Sequence, residues 1–182
     1  MTSNRHECGG QGRRADGRAA LCRPGRGRGW KYAPRVPILS KTVEVAAPPD
    51  TIMAIVADFE AYPEWNQEIK GCWVLARYND GRPSQVRVDV EIQGNPTSYV
   101  CAVYYPSAAE IYTVLQQGDL FEKQQQNFSV VGMGATSLLT VDLDVAIKFP
   151  VPAPMVKKVI NDALDYLADN LKKRSEQLAS SP

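Results

Sequence analysis

The sequence predicts an α+β domain: a seven-stranded curved antiparallel sheet wrapped around a long C-terminal helix, with two short helices after the first strand. Three observations predict it. About eighty residues from Cys72 onward keep a period of two, broken by short turns. From Met155 to Leu178 the apolar period is helical, and at 1.5 Å per residue that helix is about 35 Å long. Between the first strand and this meander, a proline-led amphipathic turn is followed by an aromatic corner. The long helix is large enough to cover the apolar face of the sheet. A sheet curled around it leaves space wherever side chains do not fill the gap.

The first strand is ILSKTVEVA (38–46), in which Leu39, Lys41, Val43 and Val45 alternate with Ser40, Thr42 and Glu44. Pro48, Pro49 and Asp50 suit the first turn of a helix. Ile52, Ile55, Val56 and Phe59 form its apolar face. Pro63 starts a second short turn carrying Trp65. CWVLARY (72–78) is a strand closed by the hairpin signal Asn79-Asp80-Gly81. In the next strand Val86, Val88, Val90 and Ile92 alternate with polar residues, so one face is buried. Gly94-Asn95-Pro96 turns the chain into TSYVCAVYY (97–105), and Pro106-Ser107 into EIYTVLQQ (110–117). Gly118-Asp119 leads to LFEKQQQNFSVV (120–131). Gly132-Met133-Gly134 is a hairpin turn, since the helix that a dinucleotide fingerprint requires does not follow. Leu139, Val141, Leu143, Val145 and Ile147 share a face of the last strand. FPVPAP (149–154) ends the meander. Val156, Val159, Ile160, Ala163, Leu164, Leu167 and Leu171 then line one helix face, with Lys172, Lys173 and Arg174 favouring its C-terminal end.

Residues 1–37 read differently. They carry nine Lys/Arg and two Asp/Glu, while the remainder carries twelve and eighteen. The segment is rich in Arg, Gly and Pro and has neither helical nor strand period, so a disordered basic tail is expected. An arginine-glycine arm for RNA or anionic surfaces is a second reading, and translation starting near Val36 a third. The domain proper is expected at 38–179. Its acidic balance gives no nucleic-acid footprint. The four cysteines lack C-x-x-C spacing and suggest neither a disulfide framework nor a zinc site. No apolar run approaches the ~20 residues of a membrane-spanning helix, and a cytoplasmic location is expected.

The stretch VAAPPDTIMAIVADFEAYPEWNQEIKGCWVL (45–75) carries a resemblance. A proline-led helix, an aspartate, a Tyr-Pro-x-aromatic corner and a strand near Gly71 resemble the START-like, or helix-grip (SRPBCC), superfamily. More narrowly they resemble its polyketide cyclase/dehydrase and coenzyme-Q-binding branch, including uncharacterised actinobacterial members. The likeness covers residues 38–178. It implies the helix-grip fold and leaves function open among lipid carriers, hormone receptors and aromatase/cyclases.

The chemistry is narrowed by histidine: His6 is the only one, and it lies in the tail. Ser-His and Cys-His nucleophilic pairs and His-based metal sites are excluded from the body. No catalytic residue, metal or cofactor is assigned. Asp142 and Asp144 share the solvated face of their strand. Gln124 and Gln126 share the parity of Phe128 and Val130, which places two neutral amides inward, where they need partners. Pairing Ile92 with Tyr99 turns Tyr99, Cys101, Val103 and Tyr105 inward beside Val88 and Val90, followed by Thr113, Leu115 and Gln117. The candidate ligand-binding set is therefore these nine residues with Gln124, Gln126, Phe128, Ile160 and Leu164, and with Tyr62 and Trp65 at the mouth. The expected function is binding of a hydrophobic small molecule: a lipid, quinone, isoprenoid or polyketide-like ring. A cyclase or dehydratase using Tyr99, Tyr105 or Arg87 is one alternative, and a regulatory or scaffold protein without ligand another.

Overall fold

The computed structural model describes residues 38–92 and 94–180. The expectations for the segment 1–37 lie outside the described residues. The elements are β1 (Leu39–Val45), α1 (Pro49–Ala57), a 3-10 turn (Phe59–Ala61), α2 (Tyr62–Trp65), β2 (Ile69–Arg77), β3 (Pro83–Ile92), β4 (Asn95–Ser107), β5 (Glu110–Gly118), β6 (Phe121–Gly132), β7 (Ser137–Ile147) and α3 (Ala153–Ser180). The seven strands form one curved antiparallel sheet in the order β1-β7-β6-β5-β4-β3-β2. β1 and β2 are thus neighbours in sequence but opposite edges in space, and the α1–α2 segment connects them. This is the helix-grip architecture.

Period decides each layer. In α1, proline occupies the first turn with Asp50 beside it, and Ile52, Met53, Ile55 and Val56 are buried. In α3, Val156, Ile160, Leu164, Ala168, Leu171 and Ser175 are buried at steps of three or four. At 28 residues α3 is about 42 Å long and crosses the sheet. The inner faces of β3, β6 and β7 contribute Val86, Val88, Phe128, Val130, Leu139, Val141 and Val145 to the same core.

Two local expectations are corrected. α3 continues to Ser180, so Lys172, Lys173 and Arg174 lie before its last turn. Two of them make tertiary ties instead: Lys172 donates to the Glu44 carbonyl at 2.7 Å, and Arg174 pairs with Glu64 at 3.1 Å. The β3–β4 turn is tighter than the Gly94-Asn95-Pro96 signal suggests. Ile92 pairs with Asn95, and Val88, not Ile92, pairs with Tyr99. Gly94 makes this turn possible at φ 78°, a region that side chains disfavour. The slip is an even number of residues, so the faces of β4 are unchanged.

Candidate functional site

Between the inner face of the sheet and α3 lies a cavity of about 440 Å³, within the range of small-molecule sites. Its walls come from every layer. Val86, Val88 and Val90 project from β3, Tyr99 and Cys101 from β4, and Thr113 from β5. Gln124, Gln126 and Phe128 project from β6, and Leu143, Val145 and Ile147 from β7. α3 closes it with Val156, Val159, Ile160, Ala163, Leu164 and Leu167. Phe149 and Met155 line it yet are exposed, as are Glu68, Glu91 and Asp162. These residues mark the mouth, which has apolar lips and an acidic rim. The Glu91 amide donates to the Glu68 carbonyl at 2.9 Å, which fixes the start of β2 beside the end of β3 at that rim.

Of the expected set, Tyr62, Val88, Val90, Tyr99, Cys101, Thr113, Gln124, Gln126, Phe128, Ile160 and Leu164 line the cavity. Five do not. Trp65 packs its ring against Tyr62 at 4.7 Å and stays among the partly buried side chains around the core. Val103 is fully buried where β4 meets filled core, and Leu115 packs against that core half-buried. Gln117 is exposed because the β4–β5 register shifts between Cys101↔Leu115 and Val100↔Gln117. The extra residue reverses the alternation, as a bulge does. Tyr105 lies within the second irregularity of that ladder, between Tyr104 and Ser107, and lines an open hollow with Tyr78, Arg82 and Tyr104, where the Arg82 guanidinium sits 4.4 Å from its ring. Arg87 is on the outer face, paired with Asp89 at 2.9 Å. Phe149 and Val151 of the β7–α3 connection, and Met155 in the first turn of α3, carry no periodic signal that announces them as lining.

Besides the rim carboxylates, the polar lining consists of Tyr62, Asn66, Tyr99, Thr113, Gln124 and Gln126. Gln124 is buried, and its Oε1 has no protein partner. It sits one residue beyond Val114↔Gln125, the last paired position of the β5–β6 ladder, opposite Val145 on β7. Burial raises the Tyr99 phenol above its usual value, and the neighbouring Cys101 adds to the rise. Burial likewise pushes the Cys72 and Cys101 thiols up to about 12, so both stay protonated at neutral pH. Partial burial at the rim raises the Glu68 carboxyl. No Lys, Arg or His lines the cavity among the described residues. Nor do the described residues hold a cluster of His, Cys, Asp or Glu that could bind a metal. No helix among them is long and apolar enough to cross a membrane.

The corner DFEAYPEWN (58–66) acts as a latch. The Tyr62 hydroxyl donates to the Val56 carbonyl at 2.7 Å in a buried bond. That carbonyl belongs to the last turn of α1 and has no partner within the helix. The Tyr62 ring stacks on Phe59 at 5.3 Å and also lines the cavity. Tyr62→Phe is expected to destabilise the protein by about 2 kcal/mol, since it strands a buried acceptor while keeping the ring. Urea unfolding midpoints of the two proteins measure the difference.

Comparison with known proteins follows the same architecture. The family model described as "Polyketide cyclase / dehydrase and lipid transport" matches residues 45–172. A START superfamily protein from Mycobacterium smegmatis is 62% identical, with a TM-score of 0.74, over 78% of this chain and 98% of that one. The Zhui aromatase/cyclase from Streptomyces sp. R1128 shares 14% identity at a TM-score of 0.69, over 78% of this chain and 94% of that one. A Thermus thermophilus protein, TTHA0849, shares 17% at 0.69, over 80% and 100%. These last two likenesses concern the fold. No curated protein matches the sequence.

Proposed function

The chain belongs to the polyketide cyclase/dehydrase and lipid transport family, and from that premise we propose that it binds a hydrophobic small molecule in the cavity beneath α3. The observation that carries this reading is the cavity itself. It is about 440 Å³ of space walled mainly by Val, Ile, Leu and Phe side chains, in a domain otherwise packed to a continuous core. Interiors rarely leave so much volume unless something enters it. Lipid, quinone, isoprenoid and polyketide-like rings all meet the requirement of an apolar body.

Binding is favoured over turnover by what surrounds that space. The cavity thiol and phenols are held neutral by burial, so none is an activated nucleophile or base at neutral pH. Of the three residues a cyclase would draw on, Arg87 and Tyr105 lie off the cavity, leaving Tyr99.

The test is native mass spectrometry of gently purified protein, with titration by the neutral fluorophore N-phenyl-1-naphthylamine. One equivalent is expected to bind. At a free concentration one hundred times its Kd, it should raise the stability by about 2.7 kcal/mol. Protein that carries no bound mass and takes up no fluorophore would sink the reading.

A further inference from the structure

Most of the neutral polar groups that line the cavity are either spent or free to turn. The Tyr62 hydroxyl is used by the Val56 carbonyl. The Tyr99 and Thr113 hydroxyls rotate and can serve as donor or acceptor. No hydrogen bond among the described residues fixes which way the Gln124 or Gln126 amide is turned.

Asn66 differs from all of them. Its backbone N–H donates to the Tyr62 carbonyl at 2.9 Å, and its carbonyl accepts from the Ile69 amide at 3.1 Å. Its side-chain Oδ1 accepts from the Glu68 amide at 3.1 Å. A backbone N–H needs an acceptor, so this bond fixes the orientation of the side-chain amide and leaves Nδ2 as a committed donor. Nδ2 has no acceptor among the described residues, although Asn66 is 4% exposed. Unlike Gln124 Oε1, it is not sealed by protein atoms, and Asn66 lines the cavity. The corner thus holds a rigid donor ready before any ligand arrives.

Resting on the cavity reading above, we infer that Asn66 orients the ligand by donating an Nδ2–H to a neutral acceptor oxygen on it, a carbonyl before any other. A hydrocarbon leaves the donor unpaired, and an ammonium group brings donors alone. An alcohol accepts, but must also place its own proton. A carbonyl brings acceptors and nothing else that needs a partner. A carboxylate also accepts, but it meets no Lys, Arg or His in the lining and must pass a rim bearing Glu68, Glu91 and Asp162. Burying an anion without a counter-charge costs more than one hydrogen bond returns.

Three fluorescent probes of one ring system separate these cases: 1-ethylpyrene, 1-acetylpyrene and 1-pyrenecarboxylate, titrated at pH 8. Ethyl and acetyl have nearly the same shape, so the ratio of their affinities reads the partner of the carbonyl. Asn66→Asp keeps Oδ1 for the Glu68 amide, and with it the corner, but has no N–H to give. It is expected to lower the acetyl-to-ethyl affinity ratio about tenfold, while Tyr99→Phe and Thr113→Val leave that ratio within about twofold. The carboxylate should bind at least about tenfold more weakly than the ketone. In the unaltered protein, the Asn66 Nδ2–H resonance should move further downfield with 1-acetylpyrene than with 1-ethylpyrene, a reading that needs no variant to fold. An unchanged ratio in Asn66→Asp, a ratio that falls instead in Tyr99→Phe or Thr113→Val, tightest binding of the carboxylate, or equal Asn66 shifts with the two neutral probes would each overturn the inference while leaving the cavity reading intact. Failure of every probe to bind overturns both.

Discussion

Between pH 9 and pH 11 the protein is expected to lose about 5 kcal/mol of stability, the combined linkage of two buried thiols. Cys72 and Cys101 ionise near 9.0 in an unfolded chain, and burial in the fold pushes each to about 12. For Cys72 the carboxylates of Glu60 and Asp89 add to burial, and for Cys101 the neighbouring Cys72 does. In this window the unfolded state has released protons that the folded state still holds, so stability falls as pH rises. Each thiol contributes a slope of about 1.4 kcal/mol per pH unit. Below pH 9 neither contributes, and stability stays on a plateau. Above pH 10 the buried Tyr62 and Tyr99 phenols, both raised by burial, steepen the fall.

A loss of that size is comparable to the total stability of most domains, so cooperative unfolding is expected near pH 11. Guanidinium midpoints at pH 8, 9, 10 and 11 measure it. The Cys72→Ala/Cys101→Ala double variant should be nearly flat between pH 9 and 10, where the tyrosines have not yet entered. Parallel curves for the two proteins would show that the thiols are not buried as described. The same physics bears on function, since a thiol that resists ionisation to pH 12 is packing, not a nucleophile.

The fold is legible because period and turn chemistry agree over nearly every element. Val86 to Ile92 alternate in sequence and alternate in the sheet. The buried stripe of α3 repeats at steps of three and four in both. Register is less legible. Tyr99 pairs with Val88 and not Ile92, because the β3–β4 turn closes tightly at Gly94. The inward face of Tyr99 and Cys101 survives because a slip by an even number of residues conserves face. Gln117 has no such protection. One bulge between β4 and β5 moves it outward, and bulges follow from sheet curvature, which local sequence does not encode.

The candidate site is legible to the same extent. Parity with Phe128 turns Gln124 and Gln126 inward, and they do face the cavity. Trp65 escapes such reasoning because an aromatic corner has no period. Which ring turns inward is decided by the Tyr62 hydroxyl reaching Val56, a contact between separate elements. The cavity volume is the least legible quantity. It is the small remainder left after a sheet and a helix pack, and Val103 and Val88 alternate identically although one meets filled core and the other open space.

That remainder can be measured with two leucines. Leu139 on β7 and Leu164 on α3 are 0% and 2% exposed, so burial alone predicts equal costs of truncation. Their surroundings differ. Leu139 faces Val43 on one side and Val130 on the other and does not line the cavity. Leu164 borders the cavity, so part of its surface meets no protein atoms. Truncation to alanine removes the same methyl groups from both, but at Leu139 it also removes close contacts on every side and opens a new void. Leu139→Ala is expected to cost about 4–5 kcal/mol and Leu164→Ala about 2.5–3 kcal/mol. Urea denaturation measures both. Saturating N-phenyl-1-naphthylamine should narrow the difference, because a bound ring gives Leu164 the neighbours that the fold does not, and truncation then costs more. Equal costs without the fluorophore would mean that the wall at Leu164 is closed. A difference that the fluorophore leaves unchanged would mean that it binds elsewhere.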